Sequence, residues 1–190
     1  MRASAAACME VVVHRQWIVT LRDLPDAGRE WDISVPRALL GKPEEGAIEP
    51  LVGLCDDVHW QLSLIRKGDV YRLTGRWQAS IERECGRCNA VFDWRVEGET
   101  ERDFRLAGRT HETDAGASDC EFVESPGDID LLDILREDIW LAWKADVVCS
   151  ENCKGLCIQC GQDLNQGDCG CSREDPTHPF AALRRLKPGA

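Results

Sequence analysis

A chain of 190 residues with 43% apolar side chains can bury a core of ordinary size, and no run in it reaches the ~18–20 apolar residues that span a bilayer. Its net charge of −11 sits in one place: residues 97–146 carry 15 acidic and 5 basic side chains, against 14 and 13 in residues 1–96 and 5 of each in residues 147–190. That field repels a phosphate backbone, and eleven cysteines, an odd number behind a start (Ala5, Ala6, Ala7, Cys8) without a secretory apolar core, point to a reducing, cytoplasmic setting rather than a secreted disulfide scaffold.

Val11, Val12, Val13, Trp17, Ile18 and Val19 mark residues 11–20 as a strand. Residues 21–57 are rich in Pro, Gly and acids, with a loop at Gly41-Lys42-Pro43-Glu44-Glu45-Gly46. Period two then takes over. Trp60, Leu62 and Leu64 alternate with Gln61 and Ser63, Lys67-Gly68-Asp69 supplies a turn, and Tyr71, Leu73, Gly75, Trp77, Ala79 and Ile81 share one face of a second strand. Phe92, Trp94 and Val96 continue the pattern in a third strand after Cys85-Gly86-Arg87-Cys88. Residues 107–128 read as a polar loop. Leu131, Leu132, Leu135, Ile139 and Ala142 then recur at helical spacing, with Trp140 and Trp143 widening the stripe and Asp128 or Asp130 as the cap. Phe180, Leu183 and Leu186 mark a short closing helix with Arg184 and Arg185 facing out. The expected fold is α+β: an antiparallel sheet domain with one main helix over residues 1–146, then a cysteine-rich zinc-binding tail over 147–190.

Zinc takes four tetrahedral ligands, and thiolates suit it. Cys157-Ile158-Gln159-Cys160-Gly161 is a tight turn presenting two sulfurs, and Cys169-Gly170-Cys171 brings two more eight residues on. So short a segment builds no core alone, and metal would supply the missing folding energy. The alternatives at these positions are free thiols on a disordered tail, or disulfides. Cys85, Cys88, Cys149 and Cys153 form a candidate second site that staples the tail to the sheet, although Cys153 and Cys157 are close enough in sequence to exchange roles. One or two structural zinc ions are therefore expected. Cys8, Cys55 and Cys120 stand alone. Catalysis finds little support: His14, His59, His111 and His178 sit in no recognisable motif, all-cysteine sites are normally closed, and the βαβ context of a redox Cys-x-x-Cys is missing.

From Cys149 through Asn165 the tail resembles the bacterial YceD family. So do Cys169-Gly170-Cys171, Asp175-Pro176 with Leu183 and Leu186, the Cys-x-Arg-Cys turn at Cys85–Cys88, and the helix start Ile129-Asp130-Leu131. The resemblance covers roughly residues 60–187, with Ile158 where many members have proline. It implies a role in accumulation or processing of 23S ribosomal RNA and in large-subunit assembly, with no established catalytic step. Some members lack most of the C-terminal cysteines, which implies a structural metal.

Two binding modes follow. Arg66, Lys67, Arg72, Arg76 and Arg83, with Arg87 nearby, are the candidate contacts to 23S rRNA. The acids of residues 97–146, among them Glu97, Glu99, Glu101 and Asp103, are the candidate contacts to a basic ribosomal protein of the large-subunit precursor, and this mode is preferred. Neither mode involves a membrane or a small-molecule substrate. The competing class is a metal-dependent nuclease acting on precursor rRNA, for which Asp128, Asp130 and Asp133 are the densest acids, although capping accounts for them.

Overall fold

Strand β3 (Val58–Lys67) and strand β4 (Val70–Glu84) form where the alternation is strongest, joined at Gly68-Asp69. The computed structural model describes residues 16–41, 51, 53–107, 120–124 and 126–171. β1 (Ile18–Thr20), β2 (Arg29–Val35) and a single helical turn, α1 (Arg37–Leu40), precede the hairpin. β5 (Val91–Leu106), β6 (Cys120–Val123), β7 (Asp128–Asp130) and helix α2 (Leu131–Leu141) follow it. The main sheet has the order β2-β3-β4-β5-β6, and β1 pairs with β7 in a separate two-stranded ribbon.

Register sets the two faces. Ile33, Trp60 and Trp77 line up across three strands on the inner face, as do Leu64 and Leu73. On the outer face Asp32 lies beside Gln61 and Arg76, and Glu30 beside Ser63 and Thr74. The inner face is buried with Leu131, Leu132, Leu135 and Ile139 of α2 in one core. Asp130 caps α2, its carboxylate accepting from the Leu132 amide at 2.9 Å. One polar network sits in this core. The Trp60 indole donates to Thr100 (3.2 Å), Thr100 donates to Asp138 (2.5 Å), and Arg102 pairs with the same carboxylate at 2.8 Å. Burial pushes the Asp138 carboxyl above its ordinary range, against the pull of Thr100 and Arg102.

Several expectations need correction. Residues 21–57 contain β2 and α1; β2 is an edge strand whose apolar Trp31, Ile33 and Val35 alternate with Glu30, Asp32 and Ser34 over a short run. The third strand does not stop near residue 97 but runs through the acidic segment to Leu106. The supposed loop at 107–128 holds β6, and β6 pairs with β5 in parallel, so the sheet is mixed. Trp140 is 45% exposed and lies off the apolar stripe, whereas Trp143 packs against the core. Val11–Val13, the 42–46 loop and the closing helix around Phe180, Leu183 and Leu186 lie outside the described residues.

The chain divides into two compact units. One takes the described residues up to Arg83 together with Phe92–Ala145; the other takes Glu84–Val91 and the described residues from Asp146 onward.

Candidate metal centre

Both cysteine sets belong to the second unit, and two turns of identical design build them. In Cys85-Gly86-Arg87-Cys88-Asn89-Ala90 the Asn89 amide returns to the Cys85 carbonyl and the Cys85 amide donates to Ala90, both at 2.9 Å. In Cys157-Ile158-Gln159-Cys160-Gly161-Gln162 the same two bonds, Gly161 to Cys157 and Cys157 to Gln162, measure 2.8 Å. The residue after the second cysteine must turn left-handed in each: Asn89 has φ 57° and Gly161 φ 74°. Asparagine and glycine tolerate that region best. The shared Cys-x-x-Cys spacing followed by Asn89 or Gly161 is the sequence signal for one geometry.

The sulfurs of Cys85, Cys88, Cys149 and Cys153 lie within 4.8 Å of one another, as do those of Cys157, Cys160, Cys169 and Cys171. Cys85 and Cys153 are 3.8 Å apart, and Cys88 and Cys149 3.7 Å. A tetrahedron with metal–sulfur bonds of about 2.3 Å has edges of about 3.8 Å, whereas a disulfide brings its sulfurs to about 2.05 Å. The sets therefore fit a four-thiolate metal centre, and their cysteines are unbridged. The sulfur of Cys153 lies with the first set and that of Cys157 with the second. Among the described residues these are the only groups of three or more metal-ligating side chains, and no histidine or carboxylate joins either. Cys55 stands apart, and its thiol is pushed up by burial and then by Asp93.

Backbone amides prepare one thiolate in each set. The Cys149 and Arg87 amides point at the Cys85 sulfur (3.3 and 3.4 Å) and draw its pKa down to about 6 against the effect of burial. The Cys160 and Gln159 amides do the same for Cys157, also to about 6. Cys88 receives a favourable amide from Ala90, yet burial and the surrounding thiols push it up to about 12. The Cys160 and Cys169 thiols push Cys171 up to about 12. Four clustered thiols ionise together only around a cation. The centres differ in cover: Cys85, Cys88 and Cys153 are buried, whereas no cysteine of the second set is.

Sequence reasoning missed two supporting side chains. Arg87 donates to the carbonyls of Cys153 (3.0 Å) and Glu151 (3.4 Å), and its own carbonyl accepts from Leu156 (2.9 Å). Asn165 donates to the Cys153 sulfur at 3.5 Å while accepting from the Lys154 amide at 2.8 Å. The Cys-x-Arg-Cys spacing put Arg87 on the knuckle, but nothing in the sequence gave its partners.

The basic residues proposed for RNA are largely engaged. Arg72 forms a two-pronged pair with Asp103 at 2.7 and 2.6 Å, and Arg76 lies 3.5 Å from Glu99. Arg83 stacks 3.5 Å from the Trp143 ring centroid and donates to the Lys144 carbonyl. Arg66 lies over Tyr71 and donates to Gly68, beside Lys67 at the end of β3. The acids near α2 serve separate partners: Asp128 accepts from Thr20, Asp130 caps the helix, and Asp133 pairs with Arg136.

A family model described as "Large ribosomal RNA subunit accumulation protein YceD" matches residues 73–187, which include all eight clustered cysteines. The chain is also similar to "Large ribosomal RNA subunit accumulation protein YCED homolog 1, chloroplastic" of Arabidopsis thaliana, 32% identical over 60 residues that make up 32% of this chain and 19% of that protein. The Zea mays protein of the same description is 41% identical over 51 residues, 26% of this chain and 17% of its own length. The matched stretch thus spans under a fifth of either relative. No solved structure matches.

Proposed function

The chain belongs to the YceD family of large ribosomal RNA subunit accumulation proteins, and from that premise we propose that it is a non-catalytic cytoplasmic factor in biogenesis of the large ribosomal subunit, its second unit built on two structural zinc ions. The reading rests chiefly on the two four-cysteine sets at tetrahedral spacing inside the family-matched segment. Cys85, Cys88, Cys149 and Cys153 would hold one ion and Cys157, Cys160, Cys169 and Cys171 the other. Bound zinc supplies folding energy to a segment with little apolar content, and a centre of four thiolates leaves no open position for substrate.

We further propose that the factor reaches the assembling subunit through a basic ribosomal protein. The outer sheet face supports this. Glu30, Asp32, Glu99, Glu101 and Arg76 line an open groove of about 770 Å³, and Asp103 has already claimed Arg72. That face offers cations more than it offers phosphates. Elemental analysis of the reduced, folded chain is expected to find two zinc ions, and a metal-free folded chain would reject the zinc reading. Affinity capture with both RNA and protein identified tests the partner. Recovery of large-subunit precursor particles that is lost on Glu99→Lys/Glu101→Lys supports the protein contact. Recovery indifferent to those changes but lost with Arg66→Glu/Lys67→Glu favours direct contact with 23S rRNA.

A further inference from the structure

The two cysteine sets are adjacent in sequence and interlocked in space. Three residues, Lys154-Gly155-Leu156, separate Cys153 of the first set from Cys157 of the second. The loop between the two ligand pairs of the second set, residues 161–168, folds back over that linker. Leu164 donates to the Gly155 carbonyl at 2.9 Å, and Leu156 bridges to Asp163. Asn165, at the far side of this loop, accepts from the Lys154 amide and reaches the Cys153 sulfur with its side-chain amide. A residue of the loop between the ligand pairs of the second set thus donates a hydrogen bond to a ligand of the first. Its orientation is set locally, since Asp163 holds both the backbone amide of Asn165 (2.9 Å) and its side-chain nitrogen (2.7 Å).

We propose that the two centres bind metal cooperatively, and that Asn165 is the positioning residue that carries the coupling; this rests on the zinc reading above. An N–H directed at a thiolate spreads its charge and stabilises the anionic four-sulfur centre, the kind of outer contact whose loss costs about 10–100-fold in metal affinity. Filling the second centre fixes the loop and aims the Asn165 amide. The first centre then binds more tightly, and linkage requires the first to strengthen the second by the same factor. Metal at either centre therefore favours metal at both.

The test uses the full chain loaded with zinc, a chelator series, and thiol alkylation read cysteine by cysteine in a mass spectrometer. In the wild type the two sets should become reactive over one common chelator range. Asn165→Asp keeps an acceptor for Lys154 but removes the donor to Cys153, and with it the side-chain donor to Asp163. It should expose Cys85, Cys88, Cys149 and Cys153 at about 10–100-fold lower chelator, with the far-ultraviolet signature of the sheet retained. Cys160→Ser/Cys169→Ser, which empties the second centre, should weaken the first in the same direction, and should have no further effect on the Asn165→Asp background. A first set that stays as protected in all three variants as in the wild type overturns the coupling. So does wild-type release of the second set complete before the first begins, a result that needs no variant. If all eight thiols react in the presence of excess zinc, the zinc reading itself has failed.

Discussion

Gly155 meets two demands at once. Its φ of +74° lies where an L side chain is strained by about 1–2 kcal/mol, and a Cβ there would stand 2.9 Å from the Arg87 carbonyl. Gly161 has the same φ with open space around it. Gly155→Ala should therefore accelerate hydrogen exchange at the Leu156 and Leu164 amides roughly 5–30-fold, by more than Gly161→Ala does. Equal effects of the two substitutions would show that the Arg87 contact is idle. A second residue-scale expectation concerns acid. The Arg72 guanidinium bound to Asp103 holds that carboxyl below its ordinary value. Its stabilisation is present above the unfolded value of about 3.9 and is lost as pH falls through the lower folded value. Urea midpoints of wild type and Arg72→Met should differ at neutral pH and converge in strong acid; a gap that widens with acid contradicts the pairing. The sequence displayed Arg72 as a charge on an outward strand face. It could not display the partner 31 residues away that neutralises it.

Elements were legible in proportion to how much of their pattern is local. β3, β4 and the start of β5 follow from alternation, and α2 with its Asp130 cap follows from spacing and capping chemistry. β6 does not, because Cys120–Val123 becomes a strand only through parallel pairing with Asp103–Leu106. The acidic half of β5 was obscured by its outward glutamates, while Thr100 and Phe104 between them are buried. Gly98 shows what the inner side demands: a Cβ there would lie 2.4 Å from the Trp77 ring. Overpacking of this kind costs about 1–3 kcal/mol, so Gly98→Ala should lower Tm by about 2–12 °C. Adding Trp77→Leu to Gly98→Ala should cost less than the two changes sum to separately, because the smaller side chain yields the space. Strict additivity would show that Trp77 is not what the extra methyl meets.

For the molecule as a whole, charge and metal carry the expectations. Both cysteine sets could be named from spacing because a Cys-x-x-Cys turn is short-range. The assignment of Cys153 and Cys157 had to wait for the fold, which brings Cys149 and Cys153 to Cys85 and Cys88. A chain of net charge −11 with Arg72, Arg76 and Arg83 already engaged should bind naked 23S RNA weakly. Titration of that RNA at rising salt should give a shallow slope, since each phosphate contact adds about 0.7–0.9 to it. A slope of four or more, lowered by about 1.4–1.8 in Arg66→Glu/Lys67→Glu, would move the contact from protein to RNA.

The first cysteine set has a consequence in time. Cys88 and Cys149 are 61 residues apart, and a ribosome adding about 5–20 residues per second needs about 3–12 s to make the second after the first. During that interval β5, β6, β7 and α2 are synthesised, while Cys85 and Cys88 wait with half of their set. A chain stalled anywhere in that window presents two thiols with no partners, and one released before Cys153 can never close the set. Completion of the sulfur tetrahedron thus records that translation has run past the helix and reached Cys153.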